Sequence, residues 1–212
     1  MPNHTHSFES KTRAVVVLTF ATMLLEIGMG YYSHSMALLA DGWHMASHVL
    51  ALGLSWLAYV VMRKYGASQR YSFNHNKLLS LVGFVSAIML QLMAVLIAIQ
   101  SITRFFNPQQ IHFTDALVVA VIGLLVNGLS AWMLHHKAED SDHNIRSAYL
   151  HVLADGLTSV MAIAALLLGM FFQIPALDSI SGIISSLLIT KWAIGLLISS
   201  GLRLIDFKKA EL

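Results

Sequence analysis

Residues 36–62, MALLADGWHMASHVLALGLSWLAYVVM, form a predominantly apolar run that carries three ionisable side chains, Asp41, His44 and His48. The run is long enough to cross a bilayer as one helix, which takes roughly 20 apolar residues. A charged group at membrane depth costs at least about 2.5 kcal/mol on insertion scales, so each of the three asks for a partner or a task. Their spacing of i, i+3 and i+7 stacks them on one face of a helix. A second run, YLHVLADGLTS at residues 149–159, sets His151 and Asp155 four apart, again on one face.

The rest of the chain is of the same kind. Its 212 residues are 57% hydrophobic and 11% charged, with a mean hydropathy of +0.68. A soluble domain would be about a quarter charged. Apolar stretches near 14–32, 36–62, 78–103, 113–134, 146–172 and 176–204 are each bounded by a polar break. The expectation is an all-α membrane protein, a six-transmembrane-helix bundle forming a single transmembrane domain over 1–212, with 1–13 a cytoplasmic tail. β-barrel strands of about ten alternating residues do not fit runs this long and unalternated. The first ten residues, with His4, His6 and Glu9, lack the apolar core of a signal peptide.

Composition also excludes chemistry. Without cysteine there are no disulfides, thiolate metal sites or thiol nucleophiles. The net charge of +2 is scattered between apolar stretches, so no nucleic-acid partner is expected. Histidine is over-represented, at 11 against 13 Lys plus Arg. It is the common imidazole metal ligand and the side chain that titrates near neutral pH.

Basic residues orient the chain. Lys11, Arg13, Arg63, Lys64, Arg70, Lys77, Lys137, Arg146, Arg203, Lys208 and Lys209 fall on one side of the six spans. The opposite loops hold Arg104, and Lys191 lies inside the sixth span. The positive-inside bias then puts both termini in the cytoplasm. Loops near 33–35 and 172–175 are so short that their flanking helices must be antiparallel hairpins. The second and fifth spans run in opposite directions, and their ionisable faces can converge near the midplane.

His44, His48, His151 and Asp155 are therefore the candidate metal ligands. Three imidazoles and one carboxylate suit a borderline divalent ion such as Zn, Co or Ni, whereas Mg, Ca and Mn prefer oxygen-rich sites. The same imidazoles take protons near cellular pH, so proton and metal compete for one set of lone pairs. That competition is what an antiporter needs. No prosthetic group is implied; the metal is cargo.

Most other polar groups in the apolar runs carry two readings. Leu-Ala-Asp-Gly occurs at residues 39–42 and again at 153–156. The match sets Asp41 opposite Asp155, as a rival ligand or, the reading favoured, as an acceptor that holds a histidine tautomer. Glu26 lines the ion's path or bonds a neighbouring helix. Asn127 orients a ligand or water, or makes an interhelical bond. Asp178 reads as reaching the outer interface and Lys191 as facing the bundle interior. The loop with His135, His136, Glu139, Asp140, Asp142 and His143 is a weak metal collector or simply a hydrated connection.

Together these features resemble the cation diffusion facilitator family of six-span divalent-metal exporters. The resemblance rests on SMALLADGWHMASH (35–48), RYSFNHNK (70–77), AYLHVLADGLTSV (148–160) and LID (204–206). It implies proton-coupled export from the cytoplasm, in bacteria across the inner membrane, by a homodimer that alternates between inward-facing and outward-facing states. It also implies that His44, His48, His151 and Asp155 form the transport site, and that Lys77 pairs with Asp206 at the cytoplasmic ends of the third and sixth spans. His48 stands where an Asp is common, a feature similar to the cobalt-type branch. Family members commonly append a cytoplasmic metal-binding domain, whereas this sequence stops at Leu212. Of the second metal site that the loop after span two can carry, His75 matches, while Ser68 and Tyr71 occupy the other places.

The function expected is proton-coupled efflux of a divalent transition metal, of the Co, Zn, Ni, Cd or Fe class, by a secondary transporter rather than an enzyme. A membrane-bound di-iron oxygenase is the alternative from another class, because it too uses HxxxH spacing; it needs about eight histidines near one aqueous face. A passive metal channel is the third reading.

Overall fold

The computed structural model describes residues 3–65, 74–138 and 143–206, and gives six helices: α1 (Asn3–Ser33), α2 (Met36–Tyr65), α3 (His75–Phe106), α4 (Phe113–Ala138), α5 (His143–Phe172) and α6 (Ala176–Leu204). No strand occurs among the described residues. Stretches of α2 to α6 are long and apolar enough to cross a membrane, and the side chains of α1 are described from Val17 onward. The chain is a multi-pass, all-helical membrane protein. Most helices overrun their apolar stretch by up to about a turn, because backbone pairing continues into the polar interface after hydrophobicity ends. α1 does so most, reaching back to Asn3 through the stretch expected to be a tail.

α2 is the hub. It packs against α1, α3, α5 and α6, while α3 pairs with α6, α4 pairs with α5, and α1 also lies on α4. Two apolar clusters divide its sides. Met36, Leu39 and Ala40 pack with Leu90, Ala94 and Ile97 of α3 and Ile189 and Ala193 of α6. Leu38 packs with Ala116, Val119 and Ala120 of α4 and Leu166 of α5. The large apolar residues left exposed, such as Trp56, Leu125, Trp132 and Leu187, lie where acyl chains would cover them.

Close helix approach is set by small residues. A Cβ on Gly42 of α2 would lie 2.9 Å from Ile27 Cγ1 and 3.1 Å from Glu26 Cβ, so α1 rests directly on the α2 backbone.

The two short connections share one device. His34 and Gln173 adopt positive φ, 59° and 55°, and each is followed by a residue whose N–H reaches back five positions. Ser35 N donates to Gly30 O at 3.1 Å, and Ile174 N donates to Gly169 O at 3.0 Å. These are helix C-terminal motifs closed by a left-handed residue, here without glycine.

Beyond the turn, Ser35 caps α2, its Oγ accepting from Leu38 N at 3.1 Å. Asp178, on the first turn of α6, completes the cap from outside the helix. It accepts from Ser35 Oγ and Met36 N at 2.6 Å each and from Ala37 N at 3.1 Å. Arg104 of α3 donates to His34 O at the same corner. Asp178 is wholly buried, which corrects the expectation that it reaches the interface. Lys191 is corrected in the opposite sense, being exposed on the outer face of α6. A lysine's long stem lets it lie along apolar surface while its ammonium seeks the headgroups.

Candidate metal centre

The faces of α2 and α5 that the spacing predicted to be polar meet inside the bundle. His44 Nε2 lies 3.1 Å from Asp155 Oδ1, and the two residues are 3% and 6% exposed. The imidazole also sits against Trp192 of α6, with ring centroids 5.2 Å apart. A histidine and an aspartate in hydrogen-bond contact, shielded from water, form a donor pair able to hold either a proton or a metal ion.

The side chains of His48 and His151 lie outside the described residues, although their backbones belong to α2 and α5. Among the described residues no group of three His, Asp or Glu side chains could hold a metal ion. The structure therefore brings together His44 and Asp155 from the four candidates. His4, His6, Ser68, Tyr71, His75, His135, His136, Glu139, Asp140, Asp142 and His143 also lie outside the described side chains.

Asp41, 4% exposed, is tied to α5 by hydroxyls. Thr158 Oγ1 donates to its Oδ1 at 2.9 Å and Ser159 Oγ to its Oδ2 at 2.6 Å. These two hydroxyls are donors described for it. Asn127 of α4 extends the network, its Nδ2 donating to Ser159 Oγ at 3.3 Å. Thr158 and Ser159 escaped the sequence reading, which singled out ionisable groups. The available signal was LADGLTS, where the hydroxyls follow Asp155 at i+3 and i+4 and so share its side of the helix.

Glu26 of α1 is also wholly buried, and among the described residues neither of its carboxylate oxygens has a hydrogen-bond partner. It thus makes no bond to a neighbouring helix, one of its two expected roles. It points at Gly123 of α4, where any Cβ would overlap Glu26 Oε1. Asp41 and Asp155 are within electrostatic reach of it.

At the far ends of α3 and α6, Lys77 Nζ lies 2.7 Å from Asp206 Oδ2, with both side chains partly exposed. A cavity of about 590 Å³ adjoins this pair, lined by Asn74, Ser80, Ser199 and Arg203 among others.

The family model described as cation efflux transmembrane domain matches residues 12–205. The zinc transporter ZitB of Pectobacterium atrosepticum is 36% identical over 99% of the chain and 66% of its own length. ZitB of Escherichia coli is 39% identical over 89% of the chain and 60% of its own length. The cadmium, cobalt and zinc/H(+)-K(+) antiporter of Bacillus subtilis is 32% identical, over 89% of the chain and 61% of its length. The chain thus spans 60 to 66% of the length of these relatives. By this match, which runs through all six helices and both polar faces, the chain belongs to the cation efflux family, as a transmembrane domain of it.

Proposed function

We propose that this domain exports divalent transition-metal cations from the cytoplasm in exchange for protons. The observation that carries the reading is the 3.1 Å contact between His44 Nε2 and Asp155 Oδ1, which closes α2 onto α5 in the buried interior. His48 and His151 complete a four-donor set with them, one helical turn along each helix. Asp41, which accepts a hydrogen bond from an α5 hydroxyl on each oxygen, stands beside that set on this reading. It holds α2 and α5 in register.

Proton coupling follows from the ligands: an imidazole that carries a proton offers no lone pair to a metal, so acidity on one side strips the ion. Both termini face the cytoplasm on this reading, the chain works as a homodimer, and it sits in the inner membrane of a bacterium. Zinc, cobalt and cadmium are the substrates named for the relatives. An imidazole at His48 in place of a carboxylate makes the set richer in nitrogen, which favours cobalt-type borderline ions over oxygen-seeking ones.

The test is uptake into proteoliposomes with an acidic interior. Wild type is expected to accumulate cobalt and zinc only while the pH difference lasts, and His48→Ala combined with Asp155→Ala to abolish uptake. Unchanged uptake by the double variant would refute the site; flux indifferent to the pH difference would make the protein a channel.

A further inference from the structure

The buried carboxylates of this bundle differ in how they are satisfied. Asp178 accepts three hydrogen bonds, Asp41 accepts two, and Asp155 contacts His44. Glu26 is 0% exposed and both its oxygens lack a hydrogen-bond partner among the described residues. With no described donor to either oxygen, an anion at Glu26 is costly unless a positive charge comes near. Nor is its position an accident of poor packing. Gly123 leaves its side of α4 open for the carboxyl, and Gly42 lets α1 rest closely on α2 beside Glu26.

We propose that Glu26 holds the proton that is exchanged when a divalent cation occupies the His44–Asp155 site. This rests on the exchanger reading above and names a group outside the ligand set. α1 packs on α2 and α4. From α2 the titratable groups toward Glu26 are Asp41 and, three positions on along the same face, His44; from α5 it is Asp155. The α4 face opposite presents Gly123 and, one turn on, Asn127, neither of which titrates. The titratable groups toward Glu26 are thus two carboxyls and one imidazole, a set whose net charge a bound cation would raise.

When the cation binds, its field lowers the cost of the Glu26 anion. The Glu26 O–H bond breaks, the electron pair stays on the carboxylate, and the proton passes to bulk water. The coupling is reciprocal, so the Glu26 anion tightens cation binding and reprotonation weakens it.

The experiment is infrared difference spectroscopy on the full chain in lipid nanodiscs, before and after zinc chloride, together with a count of protons released per zinc bound. Cation-free wild type should show the carbonyl stretch of a protonated carboxylic acid that zinc removes. Glu26→Gln should lack that band, still bind zinc, and release one proton fewer per ion. Glu26→Asp should keep the exchange with a shifted band, and it serves as the assignment if Glu26→Gln does not fold. A band that persists with zinc bound, a band unmoved in Glu26→Asp, or proton release unchanged in Glu26→Gln would overturn the proposal. Failure of wild type to bind zinc would overturn the exchanger reading itself, a result distinguishable from these.

Discussion

Asp178 and Glu26 are both wholly buried carboxyl groups in helices of an apolar bundle, yet their surroundings are opposite. At the α2–α6 corner, one hydroxyl and two backbone N–H groups converge on Asp178. At the α1–α4 interface, no described residue donates to Glu26 and a glycine makes room for it. In a medium without water, the number of donors separates a carboxyl group that holds structure from one that is free to change its charge. Asp41, with two hydroxyl donors, belongs with Asp178 by this measure. The α2–α6 corner is built to be rigid and the mid-bundle to respond.

The contrast breaks most visibly at the corner. Asp178→Ala strands three donors at the start of α2 and should cost on the order of 3 kcal/mol, read as a lowered unfolding midpoint in detergent. Stability equal to wild type would show that the corner does not anchor α2. Next is Gly123→Ala, whose methyl group must displace the Glu26 carboxyl, at a cost of about 2 kcal/mol. Combining it with Glu26→Ala should recover most of that loss; simple additivity would mean that the two residues do not meet.

Smaller effects sharpen the comparison. Ser159→Ala removes a donor from Asp41 and the acceptor of Asn127, and should cost about 1 kcal/mol in the same unfolding assay. Glu26→Gln removes no hydrogen bond, so its unfolding midpoint should shift least, by less than about 1 kcal/mol. A loss as large as that of Asp178→Ala would place Glu26 among the structural groups.

Much of this was legible in the sequence, for reasons that differ by residue. Hydropathy placed the helices because bilayer thickness fixes their length, and helical spacing put Asp41 and His44 on one face and identified Asp155 on its antiparallel partner. The capping role of Asp178 was not legible. It depends on α6 beginning beside the start of α2, a relation between residues 143 positions apart that no periodicity encodes. Thr158 and Ser159 were missed because hydroxyls at membrane depth carry no insertion penalty large enough to draw notice. The environment of Glu26 was open to two readings in sequence, since a single carboxyl in an apolar run looks the same whether or not a donor awaits it. Lys191 was misjudged because charge alone says nothing about which face of a helix it occupies.

The central claim is that α2 and α5 close on one cation through His44 and Asp155. X-ray absorption at the zinc edge of the zinc-loaded chain tests it most directly. The account predicts nitrogen and oxygen donors at about 2.0–2.2 Å with imidazole scattering, lost together with bound zinc in His44→Ala and in Asp155→Ala. An unchanged zinc environment in both variants, or one without imidazole, would contradict it.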